Sequence, residues 1–185
     1  MLISGRQGGE QRMAVVDSGQ LEVYKVATVT ADTERGNIYR GVVARVEPSL
    51  DAAFVDYGAP KHGFLAWNDV VPAAYHQAPS EGAPRLDRVL QRGRPVLVQV
   101  TKDAVGNKGG ALTTNISLAG RYLVLMPFDS THGISRKVED EETRQKLREK
   151  VKNLTAGKGY GYIVRTNAVD QTKIALKSDL DALIR

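Results

Sequence analysis

The feature that most restricts the fold is a succession of short apolar runs, each closed within a few residues by glycine, proline or asparagine. Across residues 37–65, Ile38, Val42, Ala44 and Val46 fall on one face of an alternating run. Tyr39, Val43 and Arg45 fall on the other, which is the period of a β-strand. Pro48-Ser49 breaks the run, residues 52–57 resume it, Gly58 turns the chain, and residues 62–65 follow. Strand patterns return at 95–102 and 111–116, on either side of the turn-forming stretch 106–110. Several short strands with close turns predict a small β-barrel.

Upstream, residues 12–16 and 21–27 are strand-like and flank Asp17-Ser18-Gly19-Gln20, good turn chemistry for a hairpin. Two strands alone are marginal in water, so this hairpin needs further strands to pair with. Residues 72–85 hold Pro72, Pro79 and Pro84 with Ser80 and Gly82, and predict a long loop. A second unit begins near Ser117, with strands at 123–126 and 159–165. Between them, 139–153 is the best helix in the chain. Glu139, Asp140, Glu141 and Glu142 open it and Lys150 and Lys152 close it, complementing the helix dipole. Leu147, Val151 and Leu154 supply a narrow apolar stripe, and Gly157 is a terminator. After Thr172, Ile174, Ala175, Leu176 and Leu180 start a second helix, which runs to Arg185 without a cap and so predicts a chain that continues.

Charge narrows the partners. The chain carries a net +5, and the excess lies in its middle and later parts: +3 over 35–112 and +4 over 113–169, against −2 over 1–34. A polyanion is therefore sought beyond residue 34. With no cysteine, disulfides and thiolate metal sites are excluded within this chain, and His62, His76 and His132 lie too far apart for metal-ligand spacing. No apolar run is long enough to span a membrane and no secretory leader pattern opens the chain, so a cytoplasmic protein is expected.

Two of the three phenylalanines sit in the motif Ala52-Ala53-Phe54-Val55-Asp56-Tyr57-Gly58 followed by His62-Gly63-Phe64-Leu65. On adjacent strands joined by a short turn their rings can lie side by side, as a stacking platform for single-stranded bases. Core burial is the commoner fate of a strand phenylalanine, and it is the alternative here. Asp51, Asp56 and Asp69 lie near this face, but they show none of the clustering that metal-assisted hydrolysis requires and read as turn and solvent residues.

These residues resemble the ribonuclease E/G family. The resemblance starts with residues 36–41 (Gly-Asn-Ile-Tyr-Arg-Gly), 47–50 (Glu-Pro-Ser-Leu) and the phenylalanine motif. It runs on through 106–109, 111–114, 117–127 (Ser-Leu-Ala-Gly-Arg-Tyr-Leu-Val-Leu-Met-Pro), 133–136 and 163–166. It implies an α+β chain in three parts. Residues 1–33 would be a partial RNase H-like β-hairpin, 34–115 an S1-type OB-fold barrel, and 116–185 a 5′ sensor subdomain with the start of the following helix. Phe54, Phe64 and Lys108 would form the RNA surface. Arg165 and Thr166 would bind a 5′-monophosphate, with Gly120 and Val124 meeting the terminal nucleotide and Arg136 in support.

The same resemblance implies that the partner is single-stranded RNA, preferably 5′-monophosphorylated, and that the parent enzyme is a homo-oligomeric endoribonuclease of RNA processing and decay. Its magnesium-binding carboxylates and zinc-binding cysteines match nothing in this chain, which is therefore expected to need no cofactor and to bind RNA without cleaving it. A self-standing S1-type RNA-binding protein and a small metal-dependent nuclease are the rival readings.

Binding of a single strand is expected to weaken with salt, with a log–log slope of about −0.7 per phosphate neutralised. Lys108→Ala should make that slope shallower by a little less than one unit. A titration showing no change would return Lys108 to the class of solvated turn lysines.

Overall fold

A computed structural model describes residues 2–5, 10–17, 19–28, 33–78, 84–152, 154 and 159–185. The chain divides into two units, Met1–Glu34 and Arg35–Arg185. In the first, β1 (Leu2–Gly5), β2 (Glu10–Asp17) and β3 (Gln20–Thr28) form an antiparallel sheet in that order. The expected hairpin is β2 and β3, turned at Gly19 (φ +82°). The strand β1 joins it through pairs running from Leu2–Ala14 to Gly5–Gln11. Four residues with no alternation gave β1 no signature of its own.

The second unit opens with a closed barrel of β4 (Ile38–Glu47), β5 (Ala52–Asp56), β6 (Gly63–Ala66), β7 (Pro95–Lys102) and β8 (Ala111–Thr113), ordered β4-β5-β6-β8-β7. This is an OB-type barrel in an α+β chain. Inward alternation builds its core: Val43, Ala53, Val55, Leu65, Val96, Val98, Val100 and Leu112, closed below by Leu86 and Val89 of the short helix α1 (Leu86–Val89) and by Leu90. The strand β4 departs from simple alternation. Val43 pairs with Val55 and Arg45 with Phe54, so Ala44 is an extra residue, a β-bulge. Parity flips there. Tyr39 and Val43 pack toward the core, Val46 joins them, and Arg45 leaves the face that plain alternation gave it.

The barrel closes through β6 and β8, the one parallel pairing in it, with Phe64 opposite Ala111 and Leu65 opposite Leu112. The Phe64 amide donates to the Gly110 carbonyl at 2.8 Å. Space at this seam is so tight that a Cβ on Gly109 would run into the His62 carbonyl. Elsewhere in the unit, Pro72–Ala74 forms a 3-10 turn within the expected long loop, and His76 ties that loop down. Its Nδ1 accepts from the Gln91 amide at 2.9 Å and its Nε2 meets the Pro95 carbonyl at 2.8 Å.

Beyond the barrel, β9 (Leu118–Ala119), β10 (Leu123–Met126), β11 (His132–Ile134) and β12 (Gly161–Val164) form a sheet ordered β11-β12-β10-β9. The helices α2 (Glu141–Val151) and α3 (Lys173–Ile184) cover it. Leu123, Leu125, Leu147, Val151, Val164, Leu176 and Leu180 make its core. Asp140 caps α2 by accepting from the Thr143 amide at 2.7 Å, so the helix starts at Glu141, after the first two residues of its acidic run. These Thr143 hydrogen bonds hold the Asp140 carboxyl below its ordinary pKa. Thr172 caps α3 in the same manner through the Ala175 amide. Ser18, residues 79–83 of the long loop, Asn153 and Gly157 lie outside the described residues.

Because the obstacle at Gly109 is backbone, no rotamer change relieves it. Gly109→Ala is expected to cost about 1–3 kcal/mol in urea unfolding, whereas the exposed neighbour changed in Lys108→Ala should leave the midpoint in place. Equal midpoints for the two variants would contradict the seam described above.

Candidate nucleic-acid interface

Two clusters in the second unit carry the candidate residues. The first lies on the barrel wall. Ala53 and Val55 point inward on β5, and Leu65 does so on β6, so Phe54 and Phe64 point outward and sit directly opposite in the register. Their rings meet edge to face, with centroids 5.8 Å apart and planes at 75°. Phe64 is 37% exposed, Phe54 is half-buried, and neither belongs to the barrel core. The bulge at Ala44 brings Arg45 opposite Phe54, and its guanidinium carbon lies 4.7 Å from that ring's centre, a cation–π contact. Sequence reasoning missed Arg45. The available hint was a charged residue at the parity of a core face, which a bulge resolves.

Lys108 stands in a tight turn closed by reciprocal hydrogen bonds between Val105 and Lys108 at 3.1 and 3.0 Å. The turn is fastened to the β5–β6 connection, where Lys61 Nζ donates to the Gly106 carbonyl. Lys108 is exposed, three residues before the Ala111–Phe64 pair. The barrel seam thus brings a basic turn and the aromatic pair onto neighbouring backbone.

The second cluster forms at one end of the four-stranded sheet. Register places the start of β10 (Leu123) and the end of β11 (Ile134) on either side of Val164, the last residue of β12. Arg165 follows at once. Its amide donates to the Tyr122 carbonyl at 2.8 Å, and its Nη1 donates to the Gly120 carbonyl at 2.5 Å. Thr166 opens a 3-10 turn, Thr166–Ala168, and is exposed. Ser135 extends the β11–β12 pairing through the Val164 carbonyl at 2.8 Å, which sets exposed Arg136 just past the same edge. Val124 pairs with Ile163 and Ala119. Since Leu123 and Leu125 fill the core, Val124 faces away from it, alongside the 36%-exposed Ile163. Gly120, Val124, Arg136, Arg165 and Thr166, spread over 47 residues of sequence, gather at one strand-end surface.

No metal site can be assembled from these groups. Among the described residues, no three His, Asp or Glu side chains converge. Asp51 sits in a left-handed turn (φ 45°), and the Asp56 side chain accepts from the Gly58 amide at 3.1 Å. Without cysteine, a thiolate zinc centre cannot be built from this chain. No helix among the described residues is long and apolar enough to cross a membrane.

An OB-type barrel with an outward aromatic pair, joined to a sheet with a basic strand-end surface, defines the chain's structural class. Comparison with known proteins makes it specific. Residues 117–185, which hold the whole strand-end cluster, match the model of the Ribonuclease E/G family. Ribonuclease E of Escherichia coli (strain K12) is 44% identical over 185 residues, covering 97% of this chain and 17% of the relative. Ribonuclease E of Haemophilus influenzae is 43% identical over the full chain and 20% of its own length, and ribonuclease G of E. coli is 37% identical over 95% of the chain and 37% of its length. The chain belongs to the ribonuclease E/G family, and it spans about a fifth of the ribonuclease E relatives it matches.

Because Phe64 packs on Phe54 rather than into the barrel, Phe64→Ala is expected to lower unfolding free energy by less than about 1 kcal/mol. Leu65→Ala, one residue along on the inner face, should cost about 2–5 kcal/mol. Denaturant titration of both separates an outer platform from a core pair, and a Phe64→Ala cost matching Leu65→Ala would make the rings core.

Proposed function

We propose that this chain is the RNA-binding, 5′-monophosphate-sensing part of a ribonuclease E/G-type endoribonuclease acting in cytoplasmic RNA processing and decay. The observation that carries the reading is the gathering of Gly120, Val124, Arg136, Arg165 and Thr166 at one sheet end. A terminal phosphate is a compact dianion rich in acceptors. A guanidinium can grip it bidentately, while a hydroxyl and backbone N–H groups add donors. Arg165 spends one Nη1 hydrogen on the Gly120 carbonyl, which orients its planar fork and leaves its other N–H groups to a ligand. Val124 and Ile163 give the first base an apolar surface beside that fork.

The barrel supplies the rest of the grip. Phe64 offers a face for a base to stack on, Phe54 braces it edge-on, and Lys108 meets the backbone phosphates. The ribonuclease E and G relatives support RNA as the polyanion that the net charge of +5 calls for. Cleavage belongs to a part of such an enzyme that supplies its own carboxylates and metals, in an assembly of several copies.

Two short RNAs differing only in a 5′-monophosphate or a 5′-hydroxyl test the reading. The phosphorylated strand is expected to bind about tenfold tighter, the scale of a charge-assisted hydrogen bond. Arg165→Ala should bring that ratio toward one. Phe64→Ala should instead weaken both strands alike, by about 1–3 kcal/mol. A wild-type ratio of one, or a ratio that survives Arg165→Ala, refutes end sensing by this residue. Binding that ignores Phe64→Ala refutes the platform.

A further inference from the structure

The helix α3 turns one carboxylate back toward the strand-end surface. Asp179 accepts from three consecutive backbone amides of the turn between β9 and β10: Arg121 at 3.0 Å, Tyr122 at 2.8 Å and Leu123 at 3.0 Å. Successive N–H groups converging on one point make an anion-binding cup. Here the anion is the chain's own. The approach is close enough to dictate a residue, because a Cβ on Gly120 would stand 2.7 and 2.9 Å from the two carboxylate oxygens and 2.9 Å from Leu183 Cδ1.

The turn held in this way is the one that holds Arg165. The Gly120 carbonyl takes Nη1 of Arg165 at 2.5 Å, the Tyr122 carbonyl takes its amide at 2.8 Å, and the Gly120 amide closes the turn on the Leu123 carbonyl at 2.8 Å. Asp179, turn and guanidinium are therefore one continuous set of hydrogen bonds. We propose that Asp179 is the positioning residue of the end-binding surface. It fixes the turn whose carbonyl aims Arg165, and it fills the turn's amide cup, so that an incoming 5′ phosphate is met by Arg165 and Thr166 instead of by the turn. Gly120 is then glycine to admit the carboxylate. This inference rests on the end-sensing reading above and adds a residue that touches no RNA.

Asp179→Asn keeps the shape but presents an amide NH2 to one side of the cup, where it must lose an acceptor. In the full chain, the ratio of 5′-monophosphate to 5′-hydroxyl binding is expected to fall by about threefold or more. Binding of the hydroxyl strand should not change, and the amides of residues 121–123 should exchange with solvent faster. Gly120→Ala, which drives the carboxylate out from the other side, should lower the ratio and speed the exchange of the same amides, and the ratio in the double variant should be no lower than in the worse single one. A ratio unchanged in a folded Asp179→Asn chain overturns the proposal, as does a double variant whose losses add.

If the wild-type chain shows no preference, end sensing falls by itself. The positioning claim is then decided by the Arg165 side-chain N–H resonances, which Asp179→Asn should shift if Asp179 aims that group. Resonances identical in both chains would overturn it.

Discussion

The parallel pairing of β6 with β8 is the constraint on which the barrel and its outer face depend. The other pairings in the barrel are antiparallel: β4–β5, β5–β6 and β7–β8 join strands consecutive in sequence, and β4–β7 joins strands that β5 and β6 separate. Without β8, both β6 and β7 would carry an open edge of unpaired backbone groups, a cost that closure removes. The closure demands that the 105–110 turn lie flat on the 61–63 connection, and it does so because Gly109 carries no side chain at the point of contact. Lys108 and Phe64 become neighbours as a by-product. The same backbone contact that completes the barrel thus assembles its charged and aromatic outer surface, so the two cannot drift apart independently.

The barrel and the following sheet keep separate hydrophobic cores, yet they belong to one compact unit. Their junction is polar. Gln99 points out of the barrel on β7 and is nevertheless 7% exposed, because its amide is fully engaged. Its Nε2 donates to the Gly36 and Ser117 carbonyls, and its Oε1 accepts from the amide and hydroxyl of Ser117. Beside it, the Asp69 carbonyl accepts from the amide and hydroxyl of Thr114 and the hydroxyl of Thr113. A buried amide with every partner in place stabilises modestly, but its loss would strand several polar groups at once. The seam between the cores is therefore specific in geometry without needing a large apolar contact.

Much of this was legible in the residues, for a physical reason that also marks where reading fails. The strand β4 announces itself by alternation, β7 and β10 as short apolar runs, and α2 through its acidic start and apolar stripe. The strands β1, β9 and β11, of four, two and three residues, are too short to show a period and exist only because a neighbour pairs with them. The bulge at Ala44 is likewise a property of the β4–β5 pair, which is why Arg45 was placed on the wrong face. Arg165, Thr166, Arg136, Val124 and Gly120 could be named from family likeness, but that they share one edge is set by register. Asp179 lies in an ordinary amphipathic helix, and nothing near it in sequence points to a turn 56 to 58 residues away.

The register of the four-stranded sheet also divides its loops by tolerance to change. The ends of β9, β11 and β12 and the start of β10 share the edge that carries Arg165. The connection from Met126 to His132 meets the opposite edge, where Met126 pairs with Gly161 and His132 with Tyr162. Insertions or deletions there change loop length without shifting the strand ends at Leu123, Ile134 and Val164. The length of the strands thus buffers the Arg165 surface against change at the far rim, while the near rim must keep its spacing to the residue.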